Sequence, residues 1–314
     1  MSEARVIRPG LLTTIQDIGR WGYQSRGVPV AGPMDPYSHR AANALVGNPP
    51  IAATLEVTLL GPEIGFEEER MIVVTGAEFE LRLNGRSVPT NVPCIAPAGS
   101  SLAFGQRMRG ARAYIGVEGG FEAPLVLGSR ATHVAVGMGG LGGRALKAGD
   151  RLPIGERSSR RPKARPMTPA RALPDGHAGV RVMIGPQHQR FRADALDVLQ
   201  SAPYKLGLRS DRMAFRLEGS PLAHTSDADI ISEATPIGSI QVPSSGLPIV
   251  LMAERQTTGG YPKIATLISA DLGLAGQLAP SDTISFAVCS AQEAMAALIA
   301  QERALMAIET REGM

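Results

Sequence analysis

The densest run of chemically capable side chains spans residues 253–262 and reads Ala-Glu-Arg-Gln-Thr-Thr-Gly-Gly-Tyr-Pro. Arg255 offers a planar fork of donors to a carboxylate or phosphate, Gln256 an amide that donates and accepts, and Thr257 and Thr258 two hydroxyls. Gly259 and Gly260 then permit a ligand or a second strand to approach the backbone closely, just before Tyr261. Such a set suits a planar amide or ureido-like substrate better than a sugar or an apolar ligand. The competing reading pairs Arg255 with a neighbouring carboxylate, places the threonines in a strand and makes a hairpin of the glycines. Three more segments crowd polar residues into strand-like sequence: 13–20 (TTIQDIGR), 32–35 (GPMD) and 208–213 (LRSDRM). In the second of these Asp35 has the better claim to a helix N-cap, and in the third Asp211 and Arg212 can form a local pair that shapes a turn.

Other signatures are missing. Gly137-Met138-Gly139-Gly140-Leu141-Gly142 satisfies the glycine spacing of a dinucleotide loop, but it leads to a turn at Gly149-Asp150 and no acid follows at the required distance. It is read as a turn-rich loop. No lysine follows a glycine-rich loop in the P-loop pattern, and there is no G-x-S-x-G elbow or Cys-His nucleophile signature. The histidines (His39, His133, His177, His188, His224) have no paired ligand spacing, so no metal site is expected.

These residues must be positioned by a chain of 314 residues, 44% apolar and 19% charged, which can bury a substantial core. Its 36 glycines and 24 prolines against 4% aromatics favour turn-rich β structure over a helical bundle. Cys94 and Cys289 supply no disulfide framework, the first dozen residues have no secretory pattern, and no apolar run could cross a bilayer. The expectation is a cytoplasmic protein that binds neither membrane nor nucleic acid. The net charge of +3 does not argue otherwise, because Arg157, Arg160, Arg161, Lys163, Arg165 and Arg171 fall in one acid-free stretch. Without those six, 26 basic residues face 29 acidic ones.

That stretch, rich in proline and poor in apolar side chains, reads as a linker over 157–176 that cannot pack as a core element. On either side of it lie weakly matching strings in the same order. Residues 5–10 echo 181–186, 60–64 echo 218–222, 119–121 echo 259–261, and 146–152 echo 278–284. The separation shrinks along the chain, as it would if the first half carried insertions. One insertion reads as a helix over about 36–46, with Asp35 as cap, Pro36 at its first position and Gly47 as stop. A second apolar stripe falls at Phe191, Ala195, Val198 and Leu199, and a helix is expected over 291–308. Strand patterns fall at 71–74, 79–83, 113–117, 180–184, 249–252 and 284–288. Two antiparallel β barrels with a few short helices, internally duplicated, follow as the architecture. The domains expected are 1–156, the linker at 157–176, 177–290, and a C-terminal helix at 291–314.

The strings GLLTTIQDIGRWGYQ, GVPVAGPMDP, ANALVGNP, SDRMAFRLEG, GSIQVP, ERQTTGGYPKIATLI and ADLGLAGQLAPSD resemble the biotin-dependent carboxyltransferase family. That family includes the C subunits of 5-oxoprolinases and is also labelled allophanate hydrolase subunit 2 or KipA. The resemblance covers nearly the whole chain, and implies two cyclophilin-like β barrels. It also implies two partner proteins, one KipI-like and one LamB/YcsF-like, in a complex that uses ATP to open 5-oxoproline to glutamate. No cofactor is held by a recognisable motif of this chain. Two other roles within the resemblance are a carboxyltransferase component using carboxybiotin on a urea-type acceptor, and a KipA-like regulator that binds a KipI-like kinase inhibitor. The expected catalytic residues are Arg255, Gln256 and Asp211. Thr257, Thr258, Gly259, Gly260, Tyr261, Arg212, Asp35 and Gln241 are expected to bind a small amide or lactam. Prolyl isomerase activity has no support beyond the fold.

Overall fold

The computed structural model describes residues 2–157, 165–169 and 171–309. The chain divides into two compact units, neither continuous in sequence. The first takes the chain up to Arg20, then Ala31–Leu173, then the chain from Gln301; the second takes Trp21–Val30 and Pro174–Ala300.

The first unit contains β1 (Ser2–Arg8), β2 (Leu12–Gln16), α1 (Pro36–Leu45), β3 (Thr54–Thr58), β4 (Glu63–Phe66), β5 (Arg70–Leu83), β6 (Arg86–Val88), β7 (Cys94–Ala96), β8 (Ser100–Val117) and β9 (Arg151–Ile154). Its sheet runs β2-β3-β8-β4-β1-β9, with β5 lying on β8 and carrying β6 and β7. Isolated bridges from Ala53 to Phe121 and from Phe121 to Ile154 connect the start of β3 to the end of β9, so this sheet curls back on itself. The expected strands at 71–74 and 79–83 are one long strand, because register shifts between Gly76 and Leu81 absorb the break in pattern.

Beneath α1, on β3, the first half of β5 and the last part of β8, both faces of this sheet are buried. On β5, Ile72 and Val74 join Val6, Leu55, Ile64 and Phe66 in the interior, while Met71 and Val73 face outward to Ala41, Ala42 and Leu45 of α1. On β8, Ile115 and Val117 point inward and Tyr114 joins the α1 side. The period-2 alternation therefore separates two cores. α1 begins where the sequence places it, with the Asp35 carboxylate accepting from the Ser38 amide at 3.1 Å and Pro36 in the first turn. Met167 is buried in the same outer cluster, and its amide donates to the Asn91 carbonyl. The basic stretch therefore does contribute a core contact, because one of its two long apolar side chains, Met167, finds the α1 cluster. Arg160, Arg161 and Lys163 lie outside the described residues.

The second unit contains β10 (His177–Ile184), α2 (Ala195–Ser201), β11 (Tyr204–Leu206), β12 (Ala214–Glu218), β13 (Glu233–Ala234), β14 (Ser239–Gln241), β15 (Ile249–Leu251), β16 (Thr258–Gly259), β17 (Lys263–Leu267), α3 (Leu272–Gly276) and β18 (Thr283–Val288). Seven strands close a barrel in the order β10-β17-β14-β15-β12-β11-β18, with β18 parallel to β10 and the other neighbours antiparallel. Val180, Val182, Phe215, Ile240, Val250 and Ile284 are among its fully buried residues. β13 and β16 form a separate two-stranded ribbon. α4 (Ala291–Glu309) starts in this unit and ends in the first, where Leu305 packs in the α1 cluster and Glu302 accepts two bonds from the Arg40 guanidinium at 2.8 and 2.9 Å. Among the described residues no helix is long and apolar enough to cross a membrane.

Gly116 shows how closely α1 is seated. A Cβ there would lie 2.9 Å from the Ala42 carbonyl oxygen, a backbone atom that cannot swing aside. Gly116→Val is expected to push α1 off β8 and lower the unfolding free energy by about 1–3 kcal/mol, read from the urea midpoint at unchanged m-value.

Candidate functional site

The segment between β15 and β17 carries the polar run singled out in the sequence. It leaves the barrel at Leu251, forms β16 of the ribbon and re-enters at Lys263. Two backbone bonds, from the Met252 amide to Met213 and from the Glu254 amide to Arg212, tie its start to the loop before β12. Between those same stretches, Arg212 Nε meets Glu254 Oε1 at 2.6 Å, with both side chains almost fully buried.

This ion pair decides the state of Arg255. The acid next to it in sequence is directed to Arg212, and among the described residues Arg255 forms no ion pair with a carboxylate. Its Nε donates to the Thr235 carbonyl at 2.7 Å, and Nη1 reaches the Met252 carbonyl at 3.5 Å. Burial pushes the guanidinium pKa down from its ordinary value to about 10, so Arg255 is still a cation at neutral pH. A desolvated cation whose partners among the described residues are neutral carbonyl oxygens is a strong partner for a developing negative charge on oxygen.

Thr235 clamps the ribbon around it. Its hydroxyl donates to the Gln256 carbonyl, its amide donates to the Thr257 carbonyl at 3.1 Å, and its own carbonyl accepts from Arg255. The Gln256 side-chain amide donates to Gln241 Oε1 at 3.3 Å, and Gln241 Nε2 reaches the Tyr261 carbonyl at 3.4 Å. Gly259 makes this contact possible: a Cβ there would lie 2.6 Å from Gln241 Nε2 and 3.3 Å from Gln256 Nε2. The Gly260 carbonyl accepts from the Ile230 amide, Thr258 pairs with Ala234 in the ribbon, and Tyr261 is exposed.

The structure thus gathers Arg255, Gln256, Gln241, Thr257, Thr258, Gly259, Gly260 and Tyr261 in one region of the second unit. Arg212 joins them through Glu254. Asp211 does not pair with Arg212: its carboxylate accepts from the Met213 amide at 2.8 Å and the Ala214 amide at 3.1 Å, which shapes the turn presenting Arg212. Asp35 lies in the first unit, where it caps α1. Sequence reasoning did not pick out Thr235 or Glu254, nor Lys263, which stands opposite Gln241 in the β14–β17 register.

A second polar constellation is buried in the first unit. Thr14 and Gln16 on β2 stand opposite Glu56 and Thr54 on β3, all on one sheet face. Gln16 Nε2 donates to Thr14 Oγ1 and to the Thr132 carbonyl, both at 3.0 Å. Tyr114 donates to Glu56 Oε2 at 2.7 Å and accepts from the Asp35 amide at 2.8 Å, and the Met34 amide also donates to Glu56. Burial and the Glu56 carboxylate hold the Tyr114 hydroxyl well above its ordinary pKa, so it is protonated. His39 Nδ1 lies 2.9 Å from Thr54 Oγ1, and burial lowers its pKa to about 4. The alternation of Thr14 with Gln16 in an otherwise strand-like run was the one sequence signal for this group. Among the described residues no cluster of three or more His, Cys, Asp or Glu could hold a metal ion.

Residues 26–288 match the family described as carboxyltransferase domain, subdomain A and B. The chain belongs to that carboxyltransferase family. It is 39% identical over 299 residues to the C subunit of 5-oxoprolinase from Escherichia coli K12, covering 95% of each chain. It is 36% identical to the C subunit of the Haemophilus influenzae 5-oxoprolinase, covering 90% of this chain and 89% of that one. Among solved structures, the Kluyveromyces lactis urea carboxylase superposes with a TM-score of 0.91 at 31% identity, over 99% of this chain but 29% of the larger one.

The neutral state of His39 has a consequence for acid stability. Its folded pKa lies below the unfolded value of 6.5, so the unfolded chain binds the proton more tightly and stability falls as pH drops from 6.5 toward 4. The expected contribution is about 3 kcal/mol. His39→Gln should flatten the pH dependence of urea midpoints across that window relative to the native chain.

Proposed function

We propose that this chain is the C subunit of an ATP-dependent 5-oxoprolinase, acting with a KipI-like partner and a LamB/YcsF-like partner to open 5-oxoproline to glutamate. The observation that carries this reading is the 39% identity to the Escherichia coli protein over 95% of both chains. The urea amidolyase of Lachancea kluyveri, by contrast, is matched over only 18% of its length.

The chemistry of the second-unit cluster fits. Ring opening adds water to a lactam carbonyl carbon, puts negative charge on its oxygen and then breaks the C–N bond, the nitrogen leaving as the amine of glutamate. The Arg255 guanidinium and the Gln256 amide are donors suited to that oxygen, and with Glu254 paired to Arg212 no carboxylate among the described residues competes for Arg255. ATP supplies the driving force to the assembled complex.

A second reading is favoured by the close superposition on urea carboxylase. There the same donors would face the ureido carbonyl of carboxybiotin or an amide acceptor, and biotin would supply the transferable carboxyl group. The cluster fits that group because a ureido carbonyl is the same planar N–C=O acceptor.

The test is ATP-dependent glutamate release from 5-oxoproline by this chain purified with its KipI-like and LamB/YcsF-like partners, with this chain omitted as control. Turnover is expected to vanish on omission. Arg255→Ala should lower it by about 10²–10³-fold while the complex still assembles on gel filtration. An assembled complex that releases no glutamate contradicts the oxoprolinase reading, and carboxyl transfer from carboxybiotin to urea by the same preparation would favour the second. Turnover that tolerates Arg255→Ala removes Arg255 from the reaction.

A further inference from the structure

Lys263 opens β17 with its side chain only 4% exposed, yet its ammonium must be balanced. Glu233 balances it, and the same Glu233 oxygen also accepts from Gln187 Nε2. Gln187 is itself held in place, because its Oε1 accepts from the Lys263 amide at 3.1 Å, which turns its NH₂ group toward the carboxylate. The two donors therefore form a preorganised carboxylate socket anchored to the closed barrel.

The group filling the socket is less firmly held. Glu233 belongs to the two-residue strand β13, which pairs only with Thr258 and Gly259, and its side chain is 44% exposed. Residues 231–234 around it are exposed throughout, with Ile231 almost fully in solvent. A half-exposed ion pair contributes little net stability, so one carboxylate can replace another at small cost, whereas leaving Lys263 with none is expensive. The socket also adjoins the proposed site: Lys263 stands opposite Gln241, one strand spacing of about 5 Å away, and Gln241 bonds Gln256.

We infer that Lys263 and Gln187 form a binding site for the carboxylate of a small carboxylated lactam, which enters by displacing Glu233 of the same chain. This rests on the 5-oxoprolinase reading for the identity of the ligand. The ring carbonyl would be read by Gln241, Gln256 and Arg255, and the ring carboxylate by the socket. Uncharged amides would then gain nothing from Lys263, so Glu233 acts as an internal competitor that screens for a negative charge.

The experiment is an NMR titration of the full chain, following the Gln187 side-chain amide, with 5-oxoproline, acetate and uncharged 2-pyrrolidinone. Glu233→Gln removes the internal occupant and should tighten 5-oxoproline and acetate by about fivefold while leaving 2-pyrrolidinone unchanged. Gln187→Ala, at a partly exposed position and followed through the Lys263 backbone amide instead, should weaken both carboxylates in the native background. No gain for either carboxylate in Glu233→Gln, or an equal gain for 2-pyrrolidinone, overturns the socket. A gain for acetate without one for 5-oxoproline overturns the lactam assignment. Failure of glutamate release with the carboxylate gain intact removes the 5-oxoprolinase reading and leaves the socket standing; turnover without the gain does the reverse.

Discussion

A buried guanidinium with no carboxylate of its own among the described residues is the constraint on which the second unit depends. Arg255 can be in that condition only because Glu254 is committed to Arg212 and because Thr235 offers carbonyl and hydroxyl contacts from the ribbon. Each of these supports is a buried polar contact, and removing one partner would leave the other desolvated and unmatched. The arrangement stores electrostatic attraction that an oxygen ligand can collect without reorganising the protein. The ordinary economy of a protein interior would have paired Arg255 with the adjacent acid. Its separation from that acid is the strongest structural reason to regard this region as built for a ligand.

The closed barrel makes the separation possible. β12, β14 and β15 fix where the loop before β12 and the segment after β15 run, and backbone bonds between them hold the Arg212–Glu254 pair in register. The first unit solves a different problem, with a sheet buried on both faces beneath α1 and polar residues on that side: Tyr114 shares Glu56 with the Met34 amide and accepts from the Asp35 amide, at the turn that starts the helix. In both units rigid strands position the polar side chains while short irregular segments complete the contacts.

Local signals were legible in the sequence. Asp35, Pro36 and Gly47 bracket α1 because caps act within a few residues, and the helix over 291–308 is found at Ala291–Glu309. The density of polar and glycine residues at 253–262 marked the second-unit cluster because such residues are poor material for a plain strand. The long-range half of the candidate site was not legible. Lys263 and Glu233 are 30 residues apart in sequence and meet only through a ribbon of two residue pairs, which leaves no periodic pattern. Arg212 sits beside Asp211, yet its partner is Glu254, because a turn whose amides occupy Asp211 leaves that carboxylate no reason to face the guanidinium. The expected local pair fails for the same reason. The strand signals at 71–74 and 79–83 could not reveal their continuity, since bulges break alternation without ending a strand.

On the proposed function, Arg255 and Gln256 polarise a planar N–C=O carbonyl, and difference infrared spectroscopy of 5-oxoproline carrying ¹³C at the lactam carbonyl, bound to the complex of this chain with its partners, reads that polarisation. The carbonyl band is expected to move to lower frequency on binding and to return toward its solution position in the Arg255→Ala, Gln256→Ala double variant. A band at its solution frequency in the native complex, or a shift that survives both substitutions, would contradict it.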